Sequence, residues 1–231
     1  MIWRGQLARH APRVGELPWL TLVVSLASLL ASLLPAQISL AFTAEGMRLG
    51  QWWRLWTGHF VHYGSAHLWG DWLAFVVWAA LVESESRRAL LATLLMGAPL
   101  LLLALNVAGP ALAEYRGLSG IDTALVIELI LLRGFIQNEP GGARGFGPWL
   151  TRLFGRPTLR TIGAYSLGLS AWKIAYEFYA GRAILAHDLG VGVQLLPAAH
   201  AFGALIGLGI GFGLRSQSSL RERSSSEAAR Q

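Results

Sequence analysis

The sequence predicts an all-α membrane protein, a bundle of six transmembrane helices, and three observations predict it. Hydrophobic residues make up 54% of the 231 positions and charged residues only 14%, whereas a soluble domain carries about one quarter charged residues. The apolar residues are gathered into six blocks, each near the ~20 residues a helix needs to cross the hydrocarbon. The arginines are distributed unequally between the segments joining those blocks.

The first block, Trp19 to Thr43, holds Pro35, which spanning helices tolerate when neighbours re-satisfy the backbone. The second runs from Leu68 to Val82. The third runs from Ala89 to Ala113, with a breaker at Gly109-Pro110, and the fourth from Leu118 to Ile136. The fifth is Ile162 to Ala180 and the sixth Val191 to Leu214. Between the fourth and fifth, residues Gln137 to Arg160 are rich in Gly, Pro and Arg and read as a surface loop. Domain organisation follows: a cytoplasmic tail over 1–18, one membrane domain over 19–214, and a serine-rich, polar tail over 215–231 expected to be disordered. The first block is too long, and lacks the small-residue cleavage site, for a cleaved signal peptide.

The formal net charge is +6, which fits either a nucleic-acid partner or loops facing a cytoplasm. With the N-terminus inside, the inner segments carry thirteen arginines, among them Arg87, Arg88, Arg144 and Arg152, against Arg48, Arg54, Arg116 and Arg182 outside. The positive-inside rule then sets both termini in the cytoplasm and leaves no surplus that calls for nucleic acid. There is no cysteine, which excludes disulfides, thiolate nucleophiles and cysteine metal sites.

One constellation carries chemistry. Gly117-Leu118-Ser119-Gly120 opens the fourth helix, and its glycines let another backbone approach while leaving the hydroxyl unshielded. A serine needs a positioned base, and the imidazole of His200, near the start of the sixth helix, is suited to that task near neutral pH. The fourth and sixth helices both run from outside to inside in this topology, so Ser119 and His200 enter the bilayer at similar depth. Gly203, Gly207 and Gly211 recur every four residues, a smooth stripe that lets the sixth helix pack closely on a neighbour. If that neighbour is the fourth helix, His200 comes within reach of Ser119. The competing reading is that the small residues serve packing alone and that His200 is a packed histidine bonded to a carbonyl.

These residues resemble the rhomboid intramembrane serine proteases over roughly Gln51 to Leu214. Trp53-Arg54 ahead of His59-Phe60-Val61-His62 is similar to that family's first outer loop, His67 to the histidine opening its second helix, and Glu83 to the acid closing it. Gly117-Leu118-Ser119-Gly120 and His200-Ala201-Phe202-Gly203 with Gly207 match its two catalytic segments. The resemblance implies a six-helix rhomboid-like bundle in a bacterial inner membrane, cutting membrane-anchored proteins near the outer face. Ser119 is the nucleophile and His200 the base, with no acidic third member and no cofactor or metal. Oxyanion support is expected from the Ser119 backbone N–H with His67, Asp71 and Gly117 around it.

Two positions depart from the pattern. Asp71 stands where the family has asparagine, and as a carboxylate it repels an oxyanion unless protonated. Thr123 stands where an aromatic packs against the base. Asp122 lies on the serine's own helix and is expected to be solvated or locally bonded rather than part of a triad. Lys173 and Glu177, four apart in the fifth helix, are expected to pair. With Tyr176 they are also similar to the rhombosortase branch, which processes C-terminal Gly-Gly-type anchors, and in which an amine or water could resolve the acyl-enzyme. Two other functions stay open: a catalytically inactive rhomboid-like protein that binds membrane clients, and a small transporter using Lys173, Glu177 and Asp71. His59 and His62 are spaced to ligate a metal but lack a third ligand, and read as loop packing or surface residues, as do His10 and His187. The tryptophans at 52, 53, 56, 69 and 72 suit a membrane interface.

Overall fold

The computed structural model describes residues 17–34, 37–108, 114–132 and 197–228, with scattered positions between 168 and 180. The described chain is mostly helical. Helix α1 spans Trp19–Leu33, short α2 Gln37–Leu40, α3 Ala44–Arg48 and α4 Arg54–Thr57; α5 spans Ser65–Glu85. Helix α6 runs Arg87–Ala108 around one π-helical stretch at Thr93–Gly97. Helix α7 is Ser119–Leu132 and α8 is Pro197–Ala228. Three helices, Ser65–Glu85, Arg87–Ala108 and Pro197–Leu214, are long and apolar enough to cross a membrane.

How α1 is buried shows which solvent it suits. It hides Thr21, Ser25, Ser28 and Ala31 on one face and exposes Leu22, Val23, Leu26 and Leu30 on the other. A helix in water would turn the leucines inward. Small and hydroxylated residues inside with large apolar ones outside is the order of a helix packed in lipid, where close approach rather than apolar burial drives association. The exposed faces of α5, α6 and α8 continue the apolar surface through Val77, Leu100 and Leu205.

Helix α1 stops ten residues before the expected end of the first block. Leu34 is extended (φ −72°, ψ 136°), as a residue preceding proline is driven to be, and the helix ends at Leu33. The chain then forms α2 and strand β1 (Phe42–Thr43), which pairs antiparallel with β2 (Glu114–Tyr115), Phe42 opposite Tyr115 and Thr43 opposite Glu114. Arg54 holds this loop together, donating to Gln51 Oε1 (2.6 Å) and to the Ala41 carbonyl. Thr57 Oγ1 donates to the Leu40 carbonyl (2.7 Å).

Other boundaries also move. Helix α5 is longer than expected at both ends, its first turn opened by Gly64 and its end closed at Ser86, whose hydroxyl caps the start of α6. The π-helical stretch was not legible as periodicity, since only Thr93 interrupts its apolar composition. At the C-terminal end α8 continues through Ala228, where serine-rich composition reads as disorder; arginine and glutamate are adequate helix formers once a helix already enters the segment. Lys173, Glu177, His10, His187 and the loop 137–160 lie outside the described residues.

Helix α7 is the centre: eleven of its fourteen residues are buried. One core joins Phe75 and Ala79 of α5 and Leu90 of α6 to Leu118, Ile121 and Leu125. A second joins Phe42, Leu55, Leu101, Tyr115 and Ala199. Thus the segment leading into Ser119 is held from the loop side and the helix itself from the bundle side.

Candidate active site

The closest helix pair is α7 with α8, and glycines make it so. A Cβ on Gly203 would lie 2.1 Å from the Gly120 carbonyl oxygen, one on Gly207 2.4 Å from that of Ala124, and one on Gly211 2.7 Å from Leu131 Cδ1. No substituted backbone could approach so near. Partner positions rise together along both helices, so α7 and α8 run parallel, as the predicted topology requires. Gly120 faces Ala199 as well as Gly203, which brings the start of the serine's helix level with His200. Ser119 is half-buried and His200 is 5% exposed.

Gly117 needs to be glycine twice over. Its φ is +120°, a region that L side chains avoid, and a Cβ there would lie 2.8 Å from Asp71 Oδ2 and 2.9 Å from His67 Nε2. The turn is tied at both backbone atoms: Gly117 N–H donates to the Gly58 carbonyl (3.2 Å), and the Gly117 carbonyl faces His59 Nδ1 (3.2 Å). His59 is completely buried and reaches the Ala98 carbonyl with Nε2 (3.1 Å), so one ring joins the outer loop, the serine's turn and α6. Burial pushes its pKa down to about 4, against the pull of the two carbonyls.

Asp71 lies at the centre of the remaining polar groups. Its Oδ2 accepts from the backbone N–H of Leu118 (2.9 Å) and of Ser119 (3.1 Å) and lies 3.1 Å from His67 Nε2. His62 Nε2 follows at 3.6 Å, beyond hydrogen-bond range. One carboxylate oxygen therefore gathers three donors around the first residues of α7, where the helix dipole adds to the attraction. His62 is held from its other side by Ser32 Oγ (3.3 Å from Nδ1), and burial lowers its pKa, opposed by Asp71. Tyr63 stacks on His67 with centroids 5.9 Å apart, and Arg116, paired with Glu114, lies over the Tyr63 ring at 5.0 Å.

No family model and no curated protein matches the chain. The candidate site therefore stands on its residues and their geometry.

The expected site residues Ser119, His67, Asp71 and Gly117 form one cluster, with His200 on the helix beside it. Their relations differ from expectation in one respect. The Ser119 N–H and His67, expected to face an oxyanion, both face Asp71 instead, because a carboxylate at the seventh residue of α5 is near enough to cap α7 itself. Asp122 is buried rather than solvated. Thr123 turns its hydroxyl to the Ser119 carbonyl (3.0 Å). His59 and His62 are buried in the loop, the packing alternative of the two expected and not the surface one, and the described residues contain no group of three that could hold a metal. Sequence reasoning missed their importance although the spacing His59-Phe60-Val61-His62 next to Gly58 was in view; two histidines flanking apolar residues just ahead of a helix were the available signal. It also missed Glu128, fully buried in α7 and bonded to Thr93 of the π-helical stretch.

Proposed function

We propose that the protein is an intramembrane serine endopeptidase of the rhomboid type, a six-span bundle with both termini cytoplasmic in a bacterial inner membrane. Its substrates are membrane-anchored proteins cut near the outer face. The observation that carries this reading is the α7–α8 seam, in which Gly120 lies against Ala199 and Gly203 beside Ser119 and His200. In the reaction, Ser119 Oγ bonds to the peptide carbonyl carbon while its proton passes to His200. The C–N bond then breaks and the leaving amine takes that proton. Water, deprotonated by the same imidazole, cleaves the acyl ester and returns the serine. The Ser119 N–H and His67 are donors suited to the oxyanion formed in both steps. Substrates with C-terminal Gly-Gly-type anchors, the class handled by the rhombosortase branch, are the first to try.

Fluorophosphonate labelling of the purified protein in detergent tests the dyad. Labelling is expected in wild type and absent in Ser119→Ala and His200→Ala; an inert, folded wild type would sink the peptidase reading. A second reading, a non-catalytic protein that holds membrane clients, is favoured by one observation: Asp71 already occupies the Ser119 N–H.

A further inference from the structure

A carboxylate bonded to the nucleophile's own N–H is an unusual partner for a site that must stabilise negative charge. In acyl transfer the tetrahedral intermediate carries its charge on an oxygen that needs donors aimed at it. Three such donors converge here, Leu118 N–H, Ser119 N–H and His67 Nε2, and all three are aimed at Asp71 Oδ2 at 2.9 to 3.1 Å. Gly117 permits the approach, since any Cβ would meet both Asp71 and His67. The Asp71 side chain is 13% exposed, as is that of His67, so the occupied position is not fully sealed.

Taking the peptidase reading as its basis, we infer that Asp71 is an internal occupant of the oxyanion site, holding the resting enzyme closed until the substrate's carbonyl oxygen displaces it. The anion that occupies the site at rest and the anion formed in the reaction have the same charge and compete for the same donors. Bound donors cannot serve both, because each N–H has one hydrogen to give. A carboxylate also repels an oxyanion formed nearby. Loss of the Asp71 charge by substitution with asparagine therefore weakens the occupant without removing its shape. The groups facing Asp71 are His67 on its own helix, His62 and Tyr63 from the loop before α5, Ser119 and Leu118 at the start of α7, and Tyr115, which senses both Asp71 and Asp122, beside the Glu114–Arg116 pair. Of these, His67 Nε2 at 3.1 Å and His62 Nε2 at 3.6 Å are the side-chain nitrogens beside the carboxylate.

The test compares fluorophosphonate labelling rates of wild type and Asp71→Asn in detergent at pH 7.5. In labelling, Ser119 Oγ bonds to phosphorus and fluoride leaves, and the phosphoryl oxygen draws on the same donors. Asp71→Asn is expected to label on the order of tenfold faster at pH 7.5, the worth of exchanging a charged acceptor for a neutral one. A folded Asp71→Asn that labels no faster than wild type at pH 7.5 overturns the inference. A measurement without labelling separates this from failure of the peptidase reading. In Asp71→Ala the emptied site is expected to take up formate, raising the melting temperature relative to chloride at equal ionic strength, with wild type unmoved. If no folded variant labels, the peptidase reading falls by itself; a formate shift then upholds the anion site, and no shift overturns it as well.

Discussion

The two ends of α5 use the same device for different purposes. Near its end, Glu83 accepts from the backbone N–H of Leu20 (3.2 Å) and Thr21 (2.9 Å) and from Thr21 Oγ1 (2.8 Å), at the start of α1. Near its beginning, Asp71 does the same for the start of α7. Both carboxylates satisfy orphan N–H groups of a neighbouring helix and sit at the positive end of its dipole. Their surroundings differ. The Glu83 side chain is 2% exposed and has Arg87, a permanent cation, at 3.3 Å. The Asp71 side chain is more open, and its other neighbours are two histidines at 3.1 and 3.6 Å. One end is a buried joint between helices fixed by an arginine, and the other is a more open contact at the N–H of Ser119.

The comparison can be broken by removing each anchor. Glu83→Ala is expected to cost about 4 kcal/mol in detergent unfolding, because three donors and the arginine lose a buried acceptor. Labelling of the surviving folded fraction should stay near wild type. Gly203→Ala should cost about 3 kcal/mol and abolish labelling together, since a methyl 2.1 Å from the Gly120 carbonyl forces the helices apart. A stable Gly203→Ala that still labels would mean that the seam does not set the dyad.

Acidification probes the loop side. His59 is neutral in the fold with its pKa lowered to about 4, against about 6.5 in an unfolded chain. The unfolded state binds the extra proton first, so stability is full above pH 6.5 and falls as pH drops toward 4, by about 3 kcal/mol over that window. His62, lowered in the same direction, steepens the fall. His59→Gln should flatten it, read as unfolding midpoint against pH. The smallest expected stability effect is that of Asp71→Asn, about 1 kcal/mol, a charged acceptor exchanged for a neutral one of the same shape. A loss as large as that of Glu83→Ala would make Asp71 a structural joint like the other and erase the distinction between the two ends.

Sequence pattern revealed these regions unequally. The seam was legible because a stripe of glycines every four residues has one use in an apolar helix, and the register that matters follows from covalent geometry. Ser119, His200 and Gly117 stood out by motif and helix order, and His67 only through the family resemblance. Asp71 was legible as an oddity, but not what it binds, since a side chain's partner across helices leaves no trace in local periodicity. Helix ends were read poorly wherever apolar composition continued through a break, as at Leu34-Pro35, or ceased while the helix went on, as beyond Leu214. The roles of His59 and Glu83 as ties between distant segments depend on three-dimensional closure, which periodicity does not encode.

The glycine seam has a consequence for how such a chain can change over generations. Because the backbones of α7 and α8 touch directly, the separation between the two helices is fixed by peptide geometry and not by the fit of surrounding side chains. The leucines and valines that cover the outer faces are then free to be exchanged for other apolar residues, provided the few hydrogens of the seam are kept. Such exchanges leave the helices that carry Ser119 and His200 in register.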